Sequence, residues 1–577
     1  MASEMVSSHE LLTWIQKQPL TAIIATCLVV CITTRLVTSR KVGAQVHPQS
    51  RNAKTVPAVP YWIPFLGHLP QVVLGKDGFL ANLRKLYPSG GFSLNILGRT
   101  HTVLFKPELI RSLLDQSSAI VDKASTSKRL VQTVFGYPRS ATDLALYDSF
   151  HEDCEAQYKY LLSEDTLKLI IDRAMTRLRH NIADFVTFNS GEIDQAPWER
   201  LAEAGLEEDT DHKEVVEADL FELVRNFVAF TANTALLGTD FVENFPSFWQ
   251  ALWRLEKGFM PLALETPILL PVNSAIGARR SRGFLLGWMD EFETALEKHR
   301  KGENPGPQWA DLDNVSPIIK GRLCDVWDKH NVGTKQRSAM DLSLIWALNA
   351  TANAVTFWVI WRIFSDPWLL IKIREEIEPY VILEKPAVGF GGAFESATRI
   401  EKIDLDGLMT NCPYLKAAYI ESLRLDVDVW AFKSIQKDTI VTGAVGHSEA
   451  FFLEAGTYAL GASSLHYTDP TIYEDPLSWK PERHIKWSTA GKNGEKKATV
   501  DMSNLDPYTD GEQLGLGKDF AIREIVLFSS AIISMYDIQP IGGGPWKFPR
   551  RTTTVGAKRP LTPTRVWIRS RPMSKTN

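Results

Sequence analysis

Two groups of residues in this 577-residue chain have types and spacing suited to chemistry. Asn349, Thr351 and Asn353 interrupt an otherwise apolar run, Ala347-Leu348-Asn349-Ala350-Thr351-Ala352-Asn353-Ala354-Val355-Thr356-Phe357-Trp358. Buried amides and hydroxyls without partners are costly, so these side chains either bond neighbouring backbone or line a cavity as hydrogen-bond donors. Glu421 and Arg424 stand three apart, which places a carboxylate and a guanidinium on one helix face. Alone, that spacing is common on charged helices. The 5 cysteines form no C-x-x-C pair: Cys27 and Cys31 share an apolar run, while Cys154, Cys324 and Cys412 are scattered. No zinc or dithiol site is expected, and the sparse, odd count suits a reducing compartment.

These residues need a large scaffold. Hydrophobic residues make up 44% of the chain and charged ones 23%, with a formal net charge of −4, so a buried core is expected and a basic nucleic-acid-binding face is not. The long apolar run predicts a helix over about 341–364, stopped by Ser365-Asp366-Pro367. Its stripe of Leu344, Ala347, Leu348 and Thr351 is what core packing alone would give. A hairpin is expected from Phe92–Leu97 and Thr102–Phe105 around Gly98-Arg99-Thr100. Segments 191–216, 301–307 and 389–396 are polar, acidic or rich in glycine and proline and read as surface loops. One mostly helical domain, over 46–577, is the economical organisation.

A membrane segment precedes it within residues 1–45. Residues 20–37 are apolar but for Arg35, which snorkels to the interface if the helix spans. The leader carries Glu4, Glu10 and Lys17 with no cationic surplus, whereas Arg35, Arg40, Lys41, Arg51 and Lys54 follow the apolar run. A cleaved signal peptide fits that charge order poorly; a single-pass anchor with a cytosolic globule fits it well. The stretch from Pro57 through Pro60 and Pro64 to Pro70 then reads as a semi-rigid hinge.

Four landmarks in order give the chain a family resemblance. They are Glu421-Ser422-Leu423-Arg424, Leu465-His466-Tyr467-Thr468-Asp469-Pro470, Trp479-Lys480-Pro481-Glu482-Arg483, and the glycine-rich segment Pro507–Ala521 that runs into a helix over 522–534. With the anchor and hinge, this order resembles a microsomal cytochrome P450 of the fungal natural-product type. The resemblance implies a mainly α fold with small sheets, and a three-way charge cluster in which Arg483 joins Glu421 and Arg424. It also implies the endoplasmic reticulum membrane as location and an apolar small molecule as ligand, with association with other pathway enzymes as a further expectation.

The resemblance breaks at the heme loop, F-x-x-G-x-x-x-C-x-G-[RK]-x-F-A. Tyr508, Gly511, Gly517, Lys518, Phe520 and Ala521 set the register, and the thiolate position then holds Gly515. No cysteine, histidine or methionine occurs from Tyr508 to Ala521. Gln513 replaces the usual propionate-binding cation, and Thr351-Ala352 stands where an Asn-Thr or Asp-Thr pair delivers protons to dioxygen. Lys433 aligns with a second propionate contact. A one-base error turning cysteine into glycine would leave Gln513 and Ala352 unexplained. The expectation at this point is a chain with no cofactor and no metal, acting as a non-redox cyclase or isomerase. An intramolecular Diels–Alder or related pericyclic catalyst for an apolar terpenoid or polyketide is the concrete form, with Asn349, Thr351 and Asn353 as donors. The alternatives are an atypical heme-containing monooxygenase and a non-catalytic scaffold.

Overall fold

The computed structural model describes residues 19–40, 46–47, 50–122, 124–161, 163–209, 211–267, 271–384, 398–428, 430–443, 449–490, 495–505, 518–552 and 556–572. Helices dominate, with several small sheets. Packing divides the chain into two compact units: unit 1 is 1–126 with 429–473, and unit 2 is 127–428 with 474–577.

Unit 1 opens with helix α1 (Pro19–Ser39), whose 20 residues from Leu20 have a mean hydropathy of 2.2 and present their apolar side chains outward. Length and composition suffice to cross a bilayer. Helix α2 (Leu69–Leu86) begins on Pro70 in its first turn and bends at Gly75, whose φ of −141° is not helical. Strands β1 (Gly91–Ile96) and β2 (Arg99–Leu104) form the expected hairpin, but the turn is Leu97-Gly98. Both turn residues have positive φ, 52° and 75°, the backbone twist that matches a two-residue hairpin, so Arg99 and Thr100 join the strand. Strands β3 (Trp430–Ile435) and β4 (Tyr458–Ala462) complete the sheet, in the order β1-β2-β4-β3 with Val121–Asp122 at its edge. Phe92, Val103, Phe105 and Leu460 face α2 as one apolar core.

Unit 2 holds the long helices. Helix α3 (Leu220–Leu237) is capped by Asp219, whose carboxylate accepts from the Phe221 and Glu222 N–H groups. Helix α4 (Asn273–Arg300) ends where the 301–307 loop is expected. The apolar helix of the sequence starts earlier than its periodicity suggests and is two helices. Helix α5 (Thr334–Ala350) and helix α6 (Ala352–Phe364) meet at Thr351, where φ is −101° and ψ −50°. Every residue of α6 is buried, so this is a core helix despite its apolar length. Helix α7 (Pro413–Asp426) carries the E-x-x-R pair, and helix α8 (Lys518–Met535) extends the helix expected over 522–534 by a turn.

One loop expectation fails: within 191–216 the chain forms strand Gly205–Glu208 and enters strand Glu214–Asp219. The two pair with each other, and Glu214–Asp219 pairs on its other edge with Arg565–Ser570, more than 340 residues on, which no local window can display. Segment 389–396 lies outside the described residues.

Candidate functional site

Of the three polar residues around the interruption of the central helix, Asn349 and Asn353 are bonded to each other and line one indentation, which Thr351 does not line. Asn349 is 3% exposed and its amide is fully occupied. Its Nδ2 donates to Asn233 Oδ1 at 3.0 Å and to the Ile345 carbonyl at 2.8 Å, and its Oδ1 accepts from Asn233 Nδ2 at 2.7 Å. A reciprocal amide pair thus clamps α5 to α3. Asn353 Nδ2 donates to the Arg225 carbonyl at 3.2 Å and to Asn349 Oδ1 at 3.3 Å, whereas its Oδ1 is buried without a partner. What Asn353 has to offer is therefore an acceptor rather than the donor the sequence suggested. Thr351 is half-buried, and no hydrogen bond joins its hydroxyl to a described residue. Its carbonyl accepts from the Val355 N–H at 3.0 Å, so α6 restarts cleanly after the break.

Beside this break lies an indentation of about 180 Å³ lined by Asn349, Asn353, Arg225, Trp253, Glu256 and Arg559, among others. Arg225 lies over the rings of Phe221 and Trp253 at 4.8 and 5.0 Å and pairs with Glu222 at 2.6 Å; Arg559 pairs with Glu256 at 3.1 Å. Much of that space is open to solvent, and the enclosed part, about 10 Å³, has room for about one water molecule. The indentation suits a few polar atoms, not a terpenoid.

The charge cluster forms with one member more than the sequence suggested. Arg424 grips Glu421 bidentately, Nε to Oε2 at 2.8 Å and Nη2 to Oε1 at 2.7 Å, both residues being buried. Arg483 Nε approaches Oε1 at 3.2 Å, and the Lys480 N–H donates to the same oxygen at 3.0 Å. His484 Nε2 lies 2.8 Å from Oε2. Arg424 Nη1 also donates to the Pro476 carbonyl at 2.7 Å, which ties the 474–484 segment to α7. Burial alone would raise the Glu421 pKa, but the hydrogen bonds from Arg424 and His484 outweigh it and hold it at about 2.

A second buried cluster escaped sequence reasoning. Arg362 of α6 donates to both oxygens of Asp426 on α7, at 2.9 and 3.0 Å, and Arg551 joins them. The Phe548 ring lies 4.5 Å from the Arg362 guanidinium. Arg362 falls on an apolar stretch with nothing local to mark its partner.

The loop residues Tyr508, Gly511, Gln513, Gly515 and Gly517 lie outside the described residues, and Lys518 opens α8. Nearly two turns into α8, Glu524 is buried, and desolvation pushes its pKa up to about 8. In unit 1, Lys433 is buried on β3.

An interrupted core helix, an E-x-x-R pair locked to a downstream arginine, and small peripheral sheets together define a helical fold of the heme-enzyme type. The cytochrome P450 family model matches residues 204–563, and the chain belongs to that family. It is 23% identical over 550 residues to cytochrome P450 monooxygenase efuG of Hormonema carpetanum, spanning 88% of this chain and 89% of that protein. It is 20% identical over 506 residues to the lanosterol 14-alpha demethylase of Mycosarcoma maydis (83% and 82%). It is 20% identical over 488 residues to cytochrome P450 monooxygenase nodJ of Hypoxylon pulicicidum (83% and 82%).

Family membership corrects the expectation that no cofactor is needed, because the family is heme-dependent and these relatives are heme enzymes. The residues of this chain fit heme in part. A buried cation at Lys433 is the chemistry a propionate calls for. The segment from Tyr508 to Ala521 supplies neither thiolate nor imidazole nor thioether, so the axial-ligand chemistry of that loop does not fit.

Proposed function

We propose that this chain is an atypical, membrane-anchored cytochrome P450 monooxygenase acting on an apolar secondary-metabolite scaffold. The observation that carries this reading is likeness along nearly the whole chain to a fungal monooxygenase, 550 residues at 23% identity. When bound, heme supplies dioxygen activation to the family. The chain's own part is to shape and dry the site: α6 is buried along its length, and the Asn233–Asn349 pair fixes the helix on which Thr351 sits. Thr351 is the described hydroxyl best placed to hold a water or a substrate oxygen at the helix break. We place the globule on the cytosolic face of the endoplasmic reticulum with α1 as a single span, where a reductase and other pathway enzymes are accessible. Purified full-length protein, reconstituted with a P450 reductase and NADPH, is expected to hydroxylate or epoxidise a terpenoid or polyketide from its own pathway. Failure to consume NADPH in a substrate-dependent way, with heme present, would defeat the proposal.

One sequence observation favours a second reading. Gly515, Gln513 and Ala352 stand where the resemblance calls for a thiolate, a propionate-binding cation and a proton-delivering alcohol, so oxygen chemistry is weakened more than the fold is, and folding a linear precursor for cyclisation needs none of the three. In that reading the precursor lies outside the small indentation at Asn349 and Asn353, with the Thr351 hydroxyl as the group that orients it. Product formation that proceeds equally without NADPH and reductase separates this reading from the first.

A further inference from the structure

Four arginines of unit 2 gather around one carboxylate. Arg129, on the helix Ala124–Thr133, and Arg139 each pair with Glu265, both at 3.1 Å. Arg279 and Arg282 stand three apart on α4 and reach the same two segments. Arg279 donates to the carbonyl of Thr266, next to Glu265, and Arg282 Nη1 donates to the Thr133 carbonyl at 2.8 Å. Burial, and then the charges of Arg279 and Arg139, lower the Arg282 pKa. Among the described residues, no carboxylate other than Glu265 pairs with any of the four. The cluster thus holds positive charge that the protein does not neutralise. It is also short of acceptors, because Arg279 Nη1 is buried without a hydrogen-bond partner.

The carboxylate that is present can be displaced. Glu265 closes the short helix Phe259–Ala263 with a φ of 53°, a position usually left to glycine, and its side chain is 43% exposed. It can leave the arginines without stranding a buried charge. An aromatic stack lies beside it. Phe259, at the start of that helix, faces Trp346 of α5 with ring centres 4.7 Å apart and planes nearly parallel. Phe135, two residues past the carbonyl that Arg282 holds, packs on Trp346 at 5.5 Å. Trp346 Nε1 is a second buried donor with no partner. The next residue, Ala347, is exposed although Ile345 and Asn349 on the same helix are buried, so α5 is open here. Both orphan groups are donors. A ligand that satisfies them brings acceptor oxygens, one that suits clustered guanidiniums brings negative charge, and one that suits the rings brings an apolar body.

We propose that Arg129, Arg139, Arg279 and Arg282 form a carboxylate-recognition site, and that the substrate is an amphipathic acid whose carboxylate displaces that of Glu265 while its apolar body lies along Phe259 and Trp346. Glu265 is the internal stand-in that keeps the arginines paired until the acid arrives. This rests on the reading of the chain as an enzyme for an apolar scaffold, and it specifies the scaffold's polar end.

The test is a calorimetric titration of full-length protein in phosphatidylcholine nanodiscs at mildly alkaline pH, with empty nanodiscs as the blank. The probes are palmitic and abietic acids, each beside its alcohol. The acids are expected to bind about tenfold more tightly than the alcohols, with the gap narrowing as salt rises. Equal affinity of acid and alcohol, or no binding of either acid, overturns the proposal. Arg129→Gln combined with Arg139→Gln should weaken the acids about tenfold and leave the alcohols within about twofold. Equal weakening of both overturns it. Glu265→Gln should tighten the acids several-fold, because the internal competitor is gone; unchanged or weaker acid binding in that variant means that Glu265 is only a structural clasp and overturns the proposal. A double arginine variant that keeps the acids but loses affinity for phosphatidylserine vesicles assigns the cluster to lipid headgroups and also overturns it. The titration needs neither NADPH nor reductase, so its failure leaves the monooxygenase reading standing, and a lack of NADPH consumption leaves the acid preference standing.

Discussion

Glu421 shows how one buried carboxylate can organise a helical fold. Its two oxygens take hydrogen bonds from Arg424, His484 and the Lys480 backbone, and the removal of such a partner strands a charge at 0% exposure. Arg424→Ala is expected to destabilise unit 2 by about 3–5 kcal/mol, read by urea unfolding. The same contacts give a pH signature. With a folded pKa of about 2 against the usual 4.5, Glu421 contributes stability above pH 4.5 that is lost as the pH falls toward 2, and Glu421→Gln should flatten that limb. Glu524 has the opposite sign. Burial raises its pKa to about 8, so folding takes up a proton and stability declines as the pH rises from 4.5 toward 8. Glu524→Gln should remove that slope; a slope that survives the substitution means another group causes it. At the helix clamp, Asn349→Leu leaves Asn233 facing an apolar group and should lower stability by about 1–3 kcal/mol. The double variant Asn233→Leu with Asn349→Leu should lower it by less than the sum, because the two amides satisfy each other.

Between elements, the α6–α7 contact rests on Arg362 and Asp426, both buried, with Arg551 closing the cluster. Asp426→Asn keeps the volume but removes the charge between two arginines. Unfolding in urea should then show a loss of about 3–5 kcal/mol, and an Arg362→Met partner change should recover part of it. These clusters also show what a sequence can reveal of such a fold. Glu421 and Arg424 are three apart on one helix, so the spacing displays their bond. His484 bonds across 63 residues and Arg362 across 64, and nothing nearby in either case points to the partner. The hairpin at 91–104 was legible in the same local way, off by two residues at its turn because Leu97 accepts a positive φ that is normally left to glycine. The interruption at Thr351 had no such signal: neither glycine nor proline marks it, and alanine flanks it on both sides. For the polar side chains at 349 and 353 the sequence leaves open whether they bond nearby backbone or line a cavity as donors; the fold uses Asn349 to join two helices and leaves one oxygen of Asn353 open.

For the whole molecule, two features of the sequence pull apart. The fold determinants of the cytochrome P450 family are present and engaged, and similarity extends over 88% of the chain to a fungal monooxygenase. The resemblance, by contrast, sets Gly515 at the thiolate position of the heme loop. A heme enzyme with atypical axial ligation reconciles them, and the measurement that tests it most directly is the absorbance spectrum and pyridine-extractable heme of the purified full-length protein. Expression is supplemented with a heme precursor, and the Gly515→Cys variant is run beside it. Near-stoichiometric heme with a Soret band in the natural protein is the predicted result, the band shifting in the variant as a thiolate takes the axial position. Protein that is folded by circular dichroism yet carries no heme under those conditions would contradict it.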